Sequence, residues 1–249
     1  MFNSVEGNSC FYATPTPEQA ARWAAQSLDG FQFCLKFPRA ISHDRGLVGA
    51  QQETREFLDA VEVLAEADRL GPSFLQLGPD FSPRYFSVLE SYLRGLPRDL
   101  PWAVEVRHQE WFDQSDAENR LNDLLRDLAV DKVLFDSRAI FRLPATDESE
   151  AKAQSRKPKT PVRQTVTGQR PLLRLIGRNT PEQARREVDQ WAKIVAGWIR
   201  DSLKPCVFLH APHDRFAPQL VRMFYDALSL QLDPSPPPLP RLPETPMLF

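Results

Sequence analysis

The chain has 249 residues, of which 42% are hydrophobic and 10% aromatic, so it can bury a sizeable core and wholesale disorder is excluded. Lys plus Arg number 31 against 33 Asp plus Glu, and a formal net charge of −2 gives no global attraction to nucleic acid or acidic membranes. Three widely spaced cysteines, Cys10, Cys34 and Cys206, with no CxxC pattern, argue against a disulfide framework and against a structural zinc site.

Short β-rich runs alternate with helical stretches from the first residues onward. Ser4–Asn8 reads as a strand, and Thr16-Pro17-Glu18 starts a helix that places Ala20, Trp23 and Ala24 on one face. Strands follow at Phe31–Phe37, Ser73–Gly78, Trp102–Arg107, Lys132–Ser137, Leu172–Gly177 and Cys206–Ala211. Thr180-Pro181-Glu182 opens another amphipathic helix through Val188, Trp191 and Val195. Strands separated by helices pair in parallel through right-handed crossovers. The expected fold is therefore α/β, a parallel (β/α) TIM-like barrel over residues 1–232 with seven strands visible. A closed barrel of this kind needs about eight strands, so the first βα unit is predicted to be missing.

Two segments depart from the pattern. Between Asp136 and Leu172 helical periodicity is weak, and 151–170 carries Lys152, Arg156, Lys157, Lys159, Arg163 and Arg170 with no acidic residue. This basic loop either clamps a polyanion across the barrel mouth or is a solvated charged face. Residues 233–249 form a Pro-rich tail, polyproline-like and expected to extend away from the barrel.

Polar residues recur near strand ends: Glu6, Lys36, Gln76, Glu105, Asp136, Arg174 and His210, spaced by roughly one βα unit each. On a strand with one face inward, such residues line the mouth, while Val104 and Val106, or Val133 and Phe135, face the helices. Glu105-Val106-Arg107-His108 is the sharpest cluster, because residues two apart point the same way. The expected catalytic groups are Glu105, Asp136, His43, His108 and Glu6. The expected substrate-binding groups are Lys36, Gln76, Arg107, Arg174, His210 and Asn8. Lys36, Arg107 and Arg174 converging on one mouth suit a phosphorylated or carboxylated small molecule. The plain alternative for Glu105 and Arg107 is an ion pair that stabilises the barrel top.

The cofactor is unknown from sequence. Glu6, Glu105, Asp136 and His210 are of the right types for a divalent metal, but no HExxH-like spacing supports one. No metal ligand is assigned. With only 10 glycines and no GxGxxG or GxxxxGK, no nucleotide cofactor is expected. No GxSxG elbow occurs either. No apolar run reaches about 18 residues and the first residues lack a signal-peptide pattern, which predicts a cytoplasmic protein with no membrane partner.

Several blocks in one order resemble the YecE-like family, a TIM-barrel group catalogued as domain of unknown function 72. They are Ser4-Val5-Glu6-Gly7-Asn8 followed by Phe11-Tyr12, Phe33-Cys34-Leu35-Lys36-Phe37-Pro38, Ile41-Ser42-His43, Leu75-Gln76-Leu77, Glu105-Val106-Arg107-His108, Leu134-Phe135-Asp136-Ser137-Arg138, Lys157-Pro158-Lys159 and Leu209-His210-Ala211-Pro212. The resemblance implies a (β/α) barrel with a polar pocket at its top and no particular reaction. It also implies a further N-terminal strand, with a Gly-rich and aromatic stretch, that this sequence lacks.

Three functions stay open on these residues. The first is an enzyme acting on an anionic small molecule by acid–base chemistry or hydrolysis. The second is a nucleic-acid-associated barrel, phosphodiesterase-like or tethered to a sliding clamp. The third is a non-catalytic binding module. The clamp reading rests on Thr245-Pro246-Met247-Leu248-Phe249, which is similar to clamp-docking C-terminal peptides ending in Leu-Phe, with Thr245 in place of the usual glutamine.

Overall fold

Seven parallel strands and their crossover helices make up the computed structural model, which describes residues 2–114, 116–236 and 239. In chain order the elements are β1 (Ser4–Gly7), α1 (Pro17–Gln26), β2 (Gln32–Leu35), α2 (Gln51–Glu66), β3 (Ser73–Gln76), α3 (Phe86–Arg94), β4 (Trp102–Glu105) and α4 (Asp116–Asp127). They continue with β5 (Asp131–Asp136), α5 (Arg138–Arg142), α6 (Glu148–Arg156), β6 (Leu172–Ile176), α7 (Arg185–Arg200), β7 (Cys206–His210) and α8 (Ala217–Ser229).

The parallel sheet is curled and runs in two hydrogen-bonded stretches, β1-β2 and β3-β4-β5-β6-β7. Isolated bridges, Phe33 with Leu70 and Lys36 with Phe74, carry β2 across to β3. Among the described residues no ladder joins β7 to β1. Each strand is short, so its register decides which side chains share a face.

Local sequence explains the helix starts. Thr16 caps α1 by accepting from the Gln19 N–H while the Gln19 side chain accepts from the Thr16 N–H, with Pro17 preset for the first turn. At the start of α7, Pro181–Ala184 forms one 3-10 turn before the α-helix takes over. Helix faces bury against the convex side of the sheet, with Trp191 and Val195 of α7 beside Leu173, Leu175 and Leu209. The concave side carries its own apolar layer of Cys34, Phe74, Ala103, Val133, Leu172, Cys206 and Phe208. That layer fills the interior below the strand ends, so the polar groups above it sit on a closed floor.

Two expectations are corrected. Val133 faces the concave interior, and Phe135, two residues on, shares that face; they do not face the helices. Their alternation therefore turns Asp136 outward. The 138–171 segment is also not structureless, since it contains α5 and α6. The signal was faint because α6, Glu-Ser-Glu-Ala-Lys-Ala-Gln-Ser-Arg, buries only Glu150 and Ala153.

A buried polar network pins this segment. Arg178, fully buried just past β6, donates to both Glu150 oxygens and to the carbonyls of Leu143 and Pro144. Asn179 donates from its backbone to Glu150 and from its side chain to Asp147 and Ser149. Of the Pro-rich stretch, the described part folds back on α8. The Ser235 hydroxyl donates to the Ser229 carbonyl and the Leu239 carbonyl accepts from Arg222. Thr245–Phe249 lies outside the described residues.

Candidate functional site

Parity along the strands brings Glu6, Gln76, Glu105, Arg107, Arg174 and His210 together over the apolar floor, with Asn8 beside Glu6. Glu6 pairs in register with Cys34, and Gln76 with Glu105, so these side chains share the concave face. Arg174 is in register with Phe135 and Phe208, again on that face. Arg174 donates through Nε and Nη2 to the two Glu6 oxygens, 2.8 Å each, and through Nη1 to Glu105 Oε2 at 2.5 Å. Arg107 donates to the other Glu105 oxygen at 2.7 Å and to Gln76 Oε1 at 2.7 Å. His210 Nε2 lies 3.2 Å from Glu6 Oε2, and Asn8 donates to Glu6 Oε1.

The charges in this cluster are set by their neighbours. Burial alone would raise the Glu105 carboxyl, but Arg107 and Arg174 override it and hold it down at about 2. For Glu6 burial is likewise overcome, by Arg174 and then His210, and its carboxyl lies well below the usual range. Burial works against the Arg174 charge, yet Glu105 and Glu6 hold the guanidinium firmly protonated. Both carboxylates are therefore ionised and clamped, which suits them to positioning cations better than to moving protons.

Two lysines complete the rim. Lys36 is 8% exposed, and its ammonium sits 3.8 Å from the centre of the Phe11 ring. Burial pushes its pKa down to about 8, helped by Arg174 and Arg107 and only partly offset by Glu105. Lys157, from the basic segment, is partly buried; burial lowers its pKa, and Arg174 and Arg107 lower it further. Neither ammonium has a carboxylate partner among the described residues. From the sequence Lys157 is legible only within the basic segment and the block Lys157-Pro158-Lys159, not as a single site residue. Phe11 is not legible as one either, because nothing in its spacing ties it to Lys36.

His43 belongs to this group. It lies on a π-helical turn, Ala40–Asp44, its ring meets Phe11 edge-on at 5.0 Å, and its Nδ1 is 2.8 Å from Ser42 Oγ. Burial, then the charges of Lys36 and Arg107, lower its pKa, so the imidazole is neutral at pH 7.

Two expected residues stand elsewhere. Asp136 faces the helices: its Oδ2 accepts from Trp191 Nε1 at 2.7 Å, and both of its oxygens accept from Arg138. It braces α5 and α7. His108 turns to its own chain, where Nδ1 accepts from the Glu110 N–H and caps a 3-10 turn. Glu6, Glu105, Asp136 and His210 thus do not assemble as one ligand set, and among the described residues no group of three or more His, Cys, Asp or Glu is placed to hold a metal ion.

The basic segment is largely engaged in the fold. Arg163 pairs with Glu118 at 2.9 Å, Lys159 lies over the Phe141 ring, and the Pro158 carbonyl accepts from Ser137 at 2.7 Å. A separate recess of about 720 Å³ lies between α2 and α3, lined by Leu58, Val88, Tyr92 and Leu96 among others. It gathers no comparable set of buried charges, and we place the site at the strand ends on chemistry. Among the described residues no helix is long and apolar enough to cross a membrane.

A curled parallel α/β sheet with a charged cluster over its strand ends is the class these observations define. The chain belongs to the family described as "Protein of unknown function DUF72", whose model matches residues 1–244. It is 37% identical over 248 residues to UPF0759 protein YecE of Escherichia coli strain K12, covering 100% of this chain and 90% of that protein. The YecE protein of Escherichia coli O157:H7 matches to the same extent. Among solved structures, a DUF72 family protein from Enterococcus faecalis V583 superposes with a TM-score of 0.72 at 18% identity, covering 91% of this chain and 90% of that one. Another from Thermotoga maritima MSB8 gives 0.63 at 21% identity, over 89% and 84%. At these identities the structural likeness speaks for the fold alone.

Proposed function

We propose that the strand-end cluster binds the phosphate or carboxylate group of a small molecule, and that the protein is an enzyme acting on that molecule. One observation carries this reading. Both arginines are already engaged by Glu6, Glu105 and Gln76, whereas the Lys36 and Lys157 ammonium groups stand at the same cluster with no carboxylate partner among the described residues. Four cations against two carboxylates leave an excess positive charge in a partly desolvated place, where an anion binds more strongly than in water. In this reading Glu6 and Glu105 orient the cations, and His43, neutral and beside Lys36, is the group that transfers protons.

The sheet is read as the wall of a (β/α) barrel, with Glu6 meeting Arg174 and His210 across the β7 to β1 seam. The engagement of Arg163 and Lys159 within the fold favours a small anion over a nucleic acid, because fewer basic groups are left to follow a backbone.

Thermal unfolding in phosphate, citrate and chloride at matched ionic strength tests the proposal. A ligand at about 100 times its Kd adds about 2.7 kcal/mol to stability. Phosphate or citrate should raise Tm above the chloride value. Equal Tm in all three salts would contradict it.

A further inference from the structure

We propose that Lys36 is a nucleophile that forms an imine with the carbonyl carbon of an anionic aldehyde or ketone, whose charged group is held by Lys157. The inference rests on the anion-binding reading above and names the substrate class for it.

The placement of Lys36 is what carries it. The side chain continues the inward parity of β2, above Cys34, and enters the cluster nearly buried. Its ammonium has an aromatic face on one side and, among the described residues, no carboxylate hydrogen bond to hold its proton. Lys36 and Lys132 are the buried lysines among the described residues, and they differ in this respect. Lys132, also buried, is bound to Asn122 and lies 3.6 Å from Glu118, so its ammonium is committed. For Lys36, burial first and then the charges of Arg174 and Arg107, against the opposing pull of Glu105 and Glu6, bring the pKa to about 8, so a substantial fraction is neutral amine near physiological pH. A desolvated lysine beside other cations is the arrangement that activates an amine toward carbonyls. Lys157, the other cation of this cluster with no carboxylate partner among the described residues, remains to bind the anionic end.

The step balances within the site. His43, which shares the Phe11 ring with Lys36, accepts a proton from the ammonium. The neutral nitrogen adds to the carbonyl carbon; a C–N bond forms, the C=O π pair moves to oxygen, and oxygen takes the second nitrogen proton. The carbinolamine hydroxyl leaves as water with the proton that His43 returns, and an iminium remains. Ammonium and carbonyl give iminium and water, and no electrons are exchanged with another reagent. The iminium then acts as an electron sink for loss of a proton or a carbon group from the adjacent carbon, so the reactions served are isomerisation or carbon–carbon cleavage.

Reductive trapping tests this on the whole chain. The protein is incubated with glyceraldehyde 3-phosphate or uncharged glyceraldehyde and cyanoborohydride, which delivers hydride to an imine carbon, and the labelled lysines are mapped by peptide mass spectrometry. Lys36 should label at least about tenfold faster than the average of the other lysines at pH 8, in keeping with its lowered pKa. Labelling by the phosphorylated aldehyde should be faster than by the uncharged one and slowed by inorganic phosphate. Lys36→Arg should lose the fast label while still being stabilised by phosphate, which shows that it folds. Label spread evenly over the lysines would overturn the nucleophile, and if phosphate still stabilised the protein the anion-binding reading would stand without it. Fast Lys36 labelling that ignores the phosphate group would overturn the assignment of an anionic substrate.

Discussion

Arg174 on β6 and Glu6 on β1, 168 residues apart in the chain, meet through two hydrogen bonds of 2.8 Å. Both side chains are 5% exposed, and no backbone ladder joins β7 to β1 among the described residues, so this pair links β6 to β1 through side chains alone. Removing one partner of a buried pair strands the other charge. Arg174→Ala should therefore destabilise by about 3 to 5 kcal/mol, whereas Arg174→Met combined with Glu6→Gln should cost less. Urea unfolding of the two variants checks this; equal losses would mean that the pair itself contributes little.

Asp131, at the opposite end of β5, makes a pH-dependent prediction of the other sign. It is buried, its partner is the Arg170 N–H at 3.0 Å, and burial raises its carboxyl to about 6 despite that bond. A folded-state pKa above the unfolded one contributes stability that is present below about pH 4 and lost as pH rises through about 6. Asp131→Asn should thus gain on the order of 2 kcal/mol over the wild type between pH 4 and pH 7. Urea midpoints at the two pH values decide it, and a constant difference would contradict the buried charge.

Asp136 separates bracing from binding. Asp136→Ala leaves the indole N–H of Trp191 and the Arg138 guanidinium without their acceptor and should cost about 2 to 3 kcal/mol. Phosphate affinity of the folded variant should stay within about twofold, since the side chain faces away from the cluster. A large loss of affinity without loss of stability would put Asp136 back in the site.

Glu150 and Arg178, both without exposure, tie α6 over the strand ends and so help place Lys157. Glu150→Ala should loosen 138–171, speeding tryptic cleavage after Arg156 and Arg163 and weakening phosphate binding together. Cleavage rates like those of the wild type would show that the pair does not hold the segment down.

The strands were legible because each is a short apolar run between helix signals, and inward parity was readable wherever an apolar residue alternates with one polar residue, as at Glu105 and Arg107. Parity fails at β5, where Val133, Leu134 and Phe135 are all apolar and give no alternation; Val133 in the concave layer and Trp191 Nε1 reaching Asp136 reveal the outward face. Helix α6 was hidden because it is mostly polar and is held by Glu150 through an ion pair to Arg178, a contact across 28 residues. The Lys36 to Phe11 contact joins the bridge residue just past β2 to a 3-10 turn after β1, and side-chain packing of that kind leaves no spacing in the sequence.

The central claim, that Lys36 and Lys157 make the strand ends an anion site, is tested most directly by calorimetric titration of inorganic phosphate at pH 7 and constant ionic strength. Lys36→Met and Lys157→Met should each weaken binding about tenfold, the loss of one charge-assisted hydrogen bond, with unfolding midpoints little changed. Wild-type affinity should also fall as pH rises past about 8, where Lys36 loses its charge. Phosphate binding of equal strength in the wild type and in the double variant would contradict the account.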